Sequence, residues 1–422
     1  MRKTKLAQSL MPLLPITGFL PDADPINPGV LTSCENFIPY SQGMKGAPSA
    51  QTPSGVPALS SECFGAAVVT KLDDSRRIFA GTATKIYELV AGAWTDRAAF
   101  AYSASGDVRW SFTQFGDSTI AANSEDYIQK STTGAFATIA TAPKAKIVFS
   151  VGSFVMALGT TDATYGNQPD RWWCSATFDD TSWTPSLSTL ATTGRLVSTP
   201  GKITAGGRLG EYAVVYKESA IYLGQFVGAP AVWDWIQVPG GSAGCVGSEA
   251  WCDIGGAHFF IGADNIWLFE GSRPTPIGVG EIRQWFFDNL NPSYKYRVKC
   301  VYDKQEANVW IFFPALGSTV PNRALVHHLP TKQWGLVTTD CEAALAILGG
   351  PDPDSRDGTT GERIEKTPGG WLILNHADQE GYDYPLIRVK YALLLLLAPP
   401  ALAEVGLQAA YFAGLRPEAG AG

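Results

Sequence analysis

The sequence predicts an all-β protein that is built from one repeated unit. Three stretches share a pattern of apolar strand, polar turn and second strand: residues 79–98, 115–140 and 259–278. The 44 Gly and 28 Pro suit many tight turns, and the 13 Trp and 15 Tyr favour pleated, half-buried surfaces. Because one such unit cannot bury both of its faces alone, we predict a ring of stacked units, a β-propeller of about six blades.

The repeat is marked by an apolar anchor residue where a strand restarts after a polar turn. Successive anchors are separated by roughly 45 residues, the size expected of a four-stranded blade. The anchors are Ile86, Ile128, Trp173, Ile221, Ile266 and Leu325. Many units also close with a tryptophan, namely Trp94, Trp183, Trp233 and Trp334. Flat side chains recurring in register suit packing between blade faces. The alternative interpretation is two unrelated β-sandwiches with chance similarity.

Changes in residue composition and in the repeat pattern divide the chain into three regions. Residues 1–60 are rich in Pro, Gly and Ser, and we predict an extended N-terminal arm that wraps the body. Residues 61–348 carry the repeat and form the predicted propeller. Residues 349–422 have a polar stretch and then a Leu/Ala-rich tail, without the blade motif. This divergent C-terminal segment is either a capping segment or the product of a reading-frame change.

One segment, near residues 279–291, departs from the strand pattern. Ile282, Trp285, Phe286 and Leu290 fall on one face of a helix, and Pro292 is expected to end it. We therefore predict a short helix inserted into the propeller. We expect its apolar face to pack on the protein's own body rather than on a partner.

The net charge and the cysteine content limit the classes of protein to which the chain can belong. The net charge of −7 predicts no overall attraction to nucleic-acid phosphates. The 7 cysteines are odd in number and form no CxxC motif, so we expect buried, reduced thiols rather than disulfides or a zinc site. The N-terminus imitates a signal peptide, but Pro12 and Pro15 interrupt its apolar stretch. No apolar run is long enough to span a bilayer.

Candidate catalytic residues each have a structural explanation in the sequence. Ser242 in "GGSAG" matches the spacing of a nucleophile elbow, but the residues that follow indicate loop and strand instead of the helix that an elbow requires. Glycoside hydrolysis needs two facing carboxylates. The available ones, in apparent turns where Asp caps the backbone, are Asp179, Asp180, Asp264 and Asp303. A sialidase would also need clustered arginines. The candidates are Arg171, Arg195, Arg208, Arg273 and Arg283, spread along the chain.

Metal and cofactor motifs give no positive signal. His327 and His328 are adjacent on a predicted strand, so one is expected to point inward and the other outward, which disfavours chelation of one metal. HExxH, P-loop and EF-hand patterns are absent from the sequence. The stretch 175–183 is similar to the Asp-box turn of sialidase propellers, which is structural and not catalytic. We therefore predict no catalytic, cofactor-binding or metal-binding residues and no cofactor.

Several stretches resemble the β-propeller tail nozzle proteins, or packaged-DNA stabilisation proteins, of short-tailed bacteriophages. In residues 21–49, Pro28, Gly29, Asn36 and Pro39 look like the N-terminal arm of that group. Four later stretches are similar to its blade motifs: residues 110–130, 211–235, 256–287 and 324–335. The resemblance covers roughly residues 21–345, and the tail beyond departs from it.

The resemblance implies a structural virion protein and not an enzyme. Such proteins assemble as a homo-oligomeric ring, usually of six copies, below the portal and the head–tail adaptor. They retain packaged DNA, guide its exit and offer surfaces to tail fibres or spikes. The implied location is the virion tail, assembled in the host bacterial cytoplasm, with duplex DNA passing through the lumen without sequence-specific binding and with no membrane span. The alternatives are a secreted sialidase-like or glycan-depolymerising propeller enzyme and a glycan-binding propeller.

Overall fold

The computed structural model describes residues 16–47, 58–104, 107–240, 243–347, 370–374 and 386–388. Within these ranges the regular structure is almost entirely β-strand, and six antiparallel sheets follow one another along the chain. We call these sheets blades 1 to 6.

The first five strands belong to the predicted N-terminal arm. They are β1 (Gly18–Phe19), β2 (Val30–Leu31), β3 (Ser33–Glu35), β4 (Phe37–Tyr40) and β5 (Gly43–Gly46). β1 pairs in parallel with β2, and β4 forms an antiparallel hairpin with β5.

The first five blades are four-stranded and antiparallel, with their strands in sequence order. Blade 1 contains β6 (Gly65–Thr70), β7 (Arg76–Gly81), β8 (Ile86–Val90) and β9 (Ala93–Asp96). Blade 2 contains β10 (Ser111–Phe115), β11 (Ser118–Ala122), β12 (Gln129–Ser131) and β13 (Ala137–Thr138). Blade 3 contains β14 (Lys144–Val151), β15 (Phe154–Asp162), β16 (Gly166–Cys174) and β17 (Thr192–Arg195). Blade 4 contains β18 (Ile203–Leu209), β19 (Tyr212–Lys217), β20 (Ile221–Gly228) and β21 (Val232–Gln237). Blade 5 contains β22 (Trp251–Asp253), β23 (His258–Ile261), β24 (Ile266–Phe269) and β25 (Thr275–Ile277).

Blade 6 combines strands from both parts of the chain. It contains β26 (Lys299–Asp303), β27 (Asn308–Phe313), β28 (Arg323–His328) and β29 (Gln333–Thr338). The hairpin β4–β5 continues this sheet beyond β29, through pairing of Phe37 with Leu336, so blade 6 has six strands. Part of the predicted arm is therefore the outer edge of the last blade. Residues 1–15 and 48–57 of that arm lie outside the described residues.

The first strand of each blade lies at the centre of the ring. β6, β10, β14 and β18 are successive neighbours, and β22 lies beside β26. This arrangement confirms the predicted six-bladed propeller. All six anchor residues lie on or directly before the third strand of their blade, and each is at most 7% exposed.

The apolar faces of each blade are covered by its neighbours. Between blades 2 and 3, for example, Ile120 and Ile128 pack into one cluster with Val155 and Trp173. Equivalent clusters join blades 1 and 2, blades 3 and 4, and blades 4 to 6. The anchors all lie in these clusters but not one per layer: Ile128 and Trp173 share the layer between blades 2 and 3, and the cluster between blades 3 and 4 contains no anchor.

The seam between blade 6 and blade 1 is filled by a strand from after the last blade. β30 (Ala343–Ile347) lies beside both β26 and β6 and pairs with β31 (Gly370–Leu374). Ala344 packs on the cluster of blade 6, whereas Ala343 and Leu345 pack on that of blade 1. A short strand β32 (Leu386–Arg388) pairs with β3. The rest of the predicted C-terminal segment lies outside the described residues.

The predicted helix is present as α1 (Arg283–Asn289), between blades 5 and 6. Ile282, Phe286 and Leu290 are buried in the shared core, so the helix packs on its own body as expected. The carboxylate of Asp22 accepts hydrogen bonds from the backbone N–H groups of Gln284 and Trp285, which links the arm to the first turn. The helix ends at Asn289, earlier than predicted, and Pro292 begins a 3₁₀ helix (Pro292–Arg297).

Large aromatic residues of one blade pack on glycines of the next. The ring of Trp110, which precedes β10, lies against Gly81 on β7, and its indole N–H donates to the carbonyl of Thr82 at 2.9 Å. A Cβ placed on Gly81 would lie 2.2 Å from the ring. The glycine is therefore required for the close approach of blades 1 and 2.

We predict that Gly81→Ala lowers the free energy of unfolding by about 1–3 kcal/mol, because the methyl group displaces the buried Trp110 ring. Gly134→Ala is the matched control, since a Cβ at Gly134 meets nothing within 4 Å. Urea unfolding followed by tryptophan fluorescence measures both variants. Equal effects in the two variants would contradict the close-packing explanation.

Candidate functional site

A cavity among the described residues lies on the axis of the ring. Its volume is about 620 Å³, and the first strands of blades 1 to 5 supply most of its lining. Ser111, Thr113 and Ser150 bring polar groups to the wall, and Phe112 and Trp251 bring aromatic rings. Propeller axes are common places for ligands because loops and strand ends from several blades converge there.

The first strands of the blades begin at one end of this cavity, and we call this end of the ring the upper face. A cluster of charged side chains lies there. Arg109 Nε donates to Glu249 Oε2 at 2.8 Å, and Lys299 Nζ donates to the same oxygen at 2.9 Å. Both cations also donate to the backbone carbonyl of Glu342. The carboxylate of Glu342 accepts from the N–H of Cys63 at 2.8 Å. The cluster thereby joins blades 1, 2, 5 and 6 to the segment that fills the seam.

The electrostatics of the cluster are dominated by burial. The pKa of Glu249 is raised because burial disfavours its charged form, and Arg109 partly offsets this effect. The carboxylate is surrounded by protein but still faces the cavity, with 28% of its side chain exposed. Two cations occupy one of its oxygens, so Glu249 ties blades together and is not a free general base.

A neutral histidine lies behind the wall near the opposite, lower end of the cavity, where it is fully buried. His258 Nε2 lies 2.9 Å from the carbonyl oxygen of Arg208, which can only accept, so Nε2 carries the proton. His258 Nδ1 then accepts from the hydroxyl of Tyr216 at 2.9 Å. Burial lowers the pKa of His258, which favours the same neutral form. The ring stacks near Trp251, whose indole covers Gly207 of blade 4.

A smaller pocket of about 330 Å³ opens at the upper face, above the start of blade 3. Three lysines, Lys144, Lys146 and Lys202, line it together with Glu125 and Asn167. Lys146 lines both this pocket and the axial cavity, so the two are adjacent.

The carboxylates considered from the sequence are not brought together as a catalytic pair. Asp179 accepts from the N–H and hydroxyl of Thr181, and Asp303 accepts from the N–H groups that follow it, so both cap turns. Asp180 forms an ion pair with Lys130 of blade 2. The backbone carbonyl of Asp264 accepts from Arg283. The turn interpretation of Asp179 and Asp303 is thus confirmed.

Most of the arginines remain dispersed among the blades. Arg171 and Arg195 are the exception, since they are directly opposite each other on β16 and β17. Arg171 lies over the ring of Tyr165 and donates to Gln168, and Arg195 forms an ion pair with Asp170. Ser242 lies outside the described residues, and the residues that follow it, 243–250, form no helix.

The prediction that one histidine of the adjacent pair points outward is wrong, because both are buried. They do occupy opposite faces of β28: His327 stacks on Trp334 at 4.0 Å, and His328 Nδ1 lies 2.7 Å from the hydroxyl of Thr331. Side chains pack on both faces of blade 6, and they cover the histidine that the alternation of side chains along a strand alone had predicted to face solvent.

The cysteines are free thiols. All seven are unpaired, and all except the half-buried Cys252 are buried, as expected for inert thiols. Burial raises the pKa of Cys63 to about 12. In the part of the chain that the structure describes, no cluster of three or more His, Cys, Asp or Glu residues could hold a metal ion. No described helix has the length and apolar character needed to cross a membrane.

The ion cluster was not predicted from the sequence. Arg109 and Glu249 each lie two residues before a first strand, and Lys299 begins one. Alignment of the units on their first strands, instead of on the third-strand anchors, would have placed these charges at the same level of the ring.

Comparisons with known proteins found only distant structural likenesses. No protein-family model and no curated sequence matches the chain. One similar solved structure is PorZ, described as an essential bacterial surface component of the type-IX secretion system of Porphyromonas gingivalis, with a TM-score of 0.41 and 10% identity over 69% of this chain and 35% of that one. This chain therefore spans about a third of the length of PorZ. Another is YCF48 bound to D1 peptide, with a TM-score of 0.36 and 12% identity over 67% of this chain and 86% of that one. No function follows from likenesses this distant.

We predict that Glu249→Gln lowers the free energy of unfolding by about 1–3 kcal/mol, since Arg109 and the buried Lys299 lose their shared anion. Glu306→Gln is the control: it removes an exposed ion pair with Lys45 and should cost less than about 1 kcal/mol. Thermal and urea unfolding at one ionic strength compare them. If the two variants lose the same stability, the cluster does not hold the ring together.

The buried His327 predicts a loss of stability in acid. Burial lowers its pKa from about 6.5 to about 3, so the unfolded chain binds a proton below pH 6.5 that the folded chain does not accept. Stability contributed by the neutral ring is therefore complete above pH 6.5 and falls as the pH drops towards 3, by at most about 1.4 kcal/mol per pH unit. His327→Phe keeps the stacking on Trp334 but does not titrate. Urea unfolding at pH 7 and pH 5 should show a smaller acid loss in the variant than in the wild type; identical losses would refute the assignment.

Proposed function

We propose that this chain is a structural virion protein, a tail nozzle or hub component of a short-tailed bacteriophage. In this proposal several copies form a ring below the portal and adaptor, retain packaged DNA and guide its exit, without catalysis. The sequence resemblance supports the proposal because two of the stretches that carry it fall on equivalent parts of their blades, each starting just before the second strand. Residues 211–235 cover the strands β19 to β21, and residues 256–287 cover β23 to the start of α1.

The axis of a single propeller is too narrow for a duplex. Its cavity of about 620 Å³ is far smaller than the space that duplex DNA of the same length would occupy. The ion cluster of Arg109, Glu249 and Lys299 crosses the upper end, and Trp251 fills the gap between blades 4 and 5. A DNA channel would therefore have to form between copies, with walls of a protein whose net charge is −7. Such walls would not grip phosphates, which suits a duplex that must slide.

An exposed apolar patch supports association between copies. Phe178, Phe226 and Val227 are 83%, 44% and 50% exposed at the lower ends of blades 3 and 4. The N–H of Phe178 donates to the carbonyl of Ser153, and the next residue, the buried Phe154, contacts Phe226 at 5.1 Å, so both exposed phenylalanines lie near the turn at 153–154. Phe178 also has a φ of 56°, an uncommon conformation for a large side chain. Exposed aromatic groups held in this way are typical of interfaces.

We expect the full chain to form rings or short tubes with a central hole wide enough for duplex DNA, as seen by negative-stain electron microscopy and native mass spectrometry. Phe178→Ser should shift the population to monomers by removing apolar contact area, without lowering the melting temperature. Leu72→Ser is the matched control, because Leu72 is 77% exposed but lies on blade 1.

A chain that stays monomeric at every concentration tested would count against self-assembly into a nozzle. Hydrolysis or binding of acidic glycans by those monomers would then favour the glycan-active propeller. Rings that form equally well with Phe178→Ser would retain the nozzle proposal and reject the patch as its interface.

A further inference from the structure

The upper-face pocket concentrates positive charge in an acidic protein. Lys144, Lys146 and Lys202 line its volume of about 330 Å³. Two carboxylates are near: Glu125 lines the pocket, and Glu218 lies 3.8 Å from Lys202. The three lysines therefore exceed the carboxylates by one positive charge at a place where the chain as a whole carries −7.

Two of the lysines are held in place by neighbouring groups. Lys144 Nζ donates to the backbone carbonyl of Glu125 at 2.5 Å and lies 5.7 Å from the centre of the Tyr127 ring. Lys202 extends from the residue before β18 and pairs loosely with Glu218. Each ammonium group keeps further N–H donors for a ligand, since lysine carries three.

Lys146 is the central group. It lies on β14 opposite a β-bulge at Gly159, where the pairing skips from Leu158 to Thr160. Gly159 has a φ of 62°, and a Cβ there would lie 3.3 Å from the Cβ of Lys146, so the bulge leaves room for the lysine stem. Within the described residues Lys146 forms neither a hydrogen bond nor an ion pair. Burial and the nearby Lys202 lower its pKa, which is the expected behaviour of a cation without a counter-ion.

The cations of this pocket suit a compact anion such as phosphate. All of the cations that line it are lysines, which bind phosphate as point charges. Asn167, Ser124 and Thr161 add neutral hydrogen-bonding groups to the lining. The axial cavity beside Lys146 offers aromatic and hydroxyl groups to any organic part attached to the anion.

We propose that this pocket binds a phosphate group, held by Lys144, Lys146 and Lys202 at the mouth of the axial cavity. The source is either free phosphate or a small phosphorylated molecule whose organic part enters the cavity. This site is independent of the proposed nozzle function, since it rests on a pocket within one propeller.

The test is a calorimetric titration of the full chain with inorganic phosphate and, separately, with ribose 5-phosphate, at constant ionic strength. We expect saturable binding of one equivalent per chain. Tighter binding of the ester supports a phosphorylated molecule, and equal binding supports free phosphate. Lys146→Met should weaken binding at least about ten-fold, because charge-assisted hydrogen bonds to the phosphate are lost.

Lys304→Gln is the matched control, an exposed lysine on a hairpin of blade 6, and should bind as the wild type does. If Lys146→Met fails to fold, as judged by its melting curve, Lys202→Gln replaces it, because Lys202 is 58% exposed. The proposal is overturned if the wild type shows no saturable binding of either probe at millimolar concentration. It is also overturned if the pocket variants bind as tightly as Lys304→Gln.

Discussion

The fold depends on closing the ring between blade 6 and blade 1. A blade has two apolar faces, and only a closed circle covers both faces of every blade. At the seam the strand β30 places Ala344 on one side and Ala343 and Leu345 on the other. Directly before it, the carbonyl of Glu342 accepts from Arg109 of the segment before blade 2 and from Lys299 of blade 6. The strand β30 thus closes the ring between blades 6 and 1. It is held in place by the apolar cores of both blades and by the charged side chains of Arg109 and Lys299 at the axis.

Within the ring, the blades are joined by two different kinds of contact. Blades 2 and 3 are joined by polar groups: Ser111 accepts from the N–H of Val148, and Thr113 accepts from that of Ser150, both at 3.0 Å. Elsewhere a tryptophan of one blade lies on a glycine of its neighbour. The first contact satisfies backbone groups of central strands, and the second allows close approach of bulky rings. Both explain why small and hydroxyl residues recur on first strands.

The sequence was sufficient to predict the blades, since each anchor is buried on or directly before the third strand of its blade and the steps between anchors are about 45 residues, except the last, which the segment containing α1 lengthens. It also predicted α1 and its buried face. It could not predict that β4 and β5 join blade 6, because the pairing of Phe37 with Leu336 depends on closure of the whole ring. The ion cluster was hidden for the same reason: Arg109 and Glu249 are 140 positions apart, and only the circular arrangement brings them together. One of His327 and His328 was expected to face solvent, although both are buried, because alternation along a strand does not report the extra packing on blade 6.

These features separate what one propeller can do from what an assembly can do. The axis of one chain is crossed by charges that stabilise its closure, so widening that axis for a duplex would cost the contacts that keep the ring shut. The same axis is suited to a small molecule, since its cavity has polar walls and, at its mouth, the ammonium group of Lys146, which has no hydrogen-bond or ion-pair partner among the described residues. Passage of DNA would require outer surfaces of several copies, and the exposed Phe178 and Phe226 lie on such a surface. The proposed small-ligand site and the proposed assembly surface are therefore different parts of the molecule, and a change in either one leaves the contacts of the other intact.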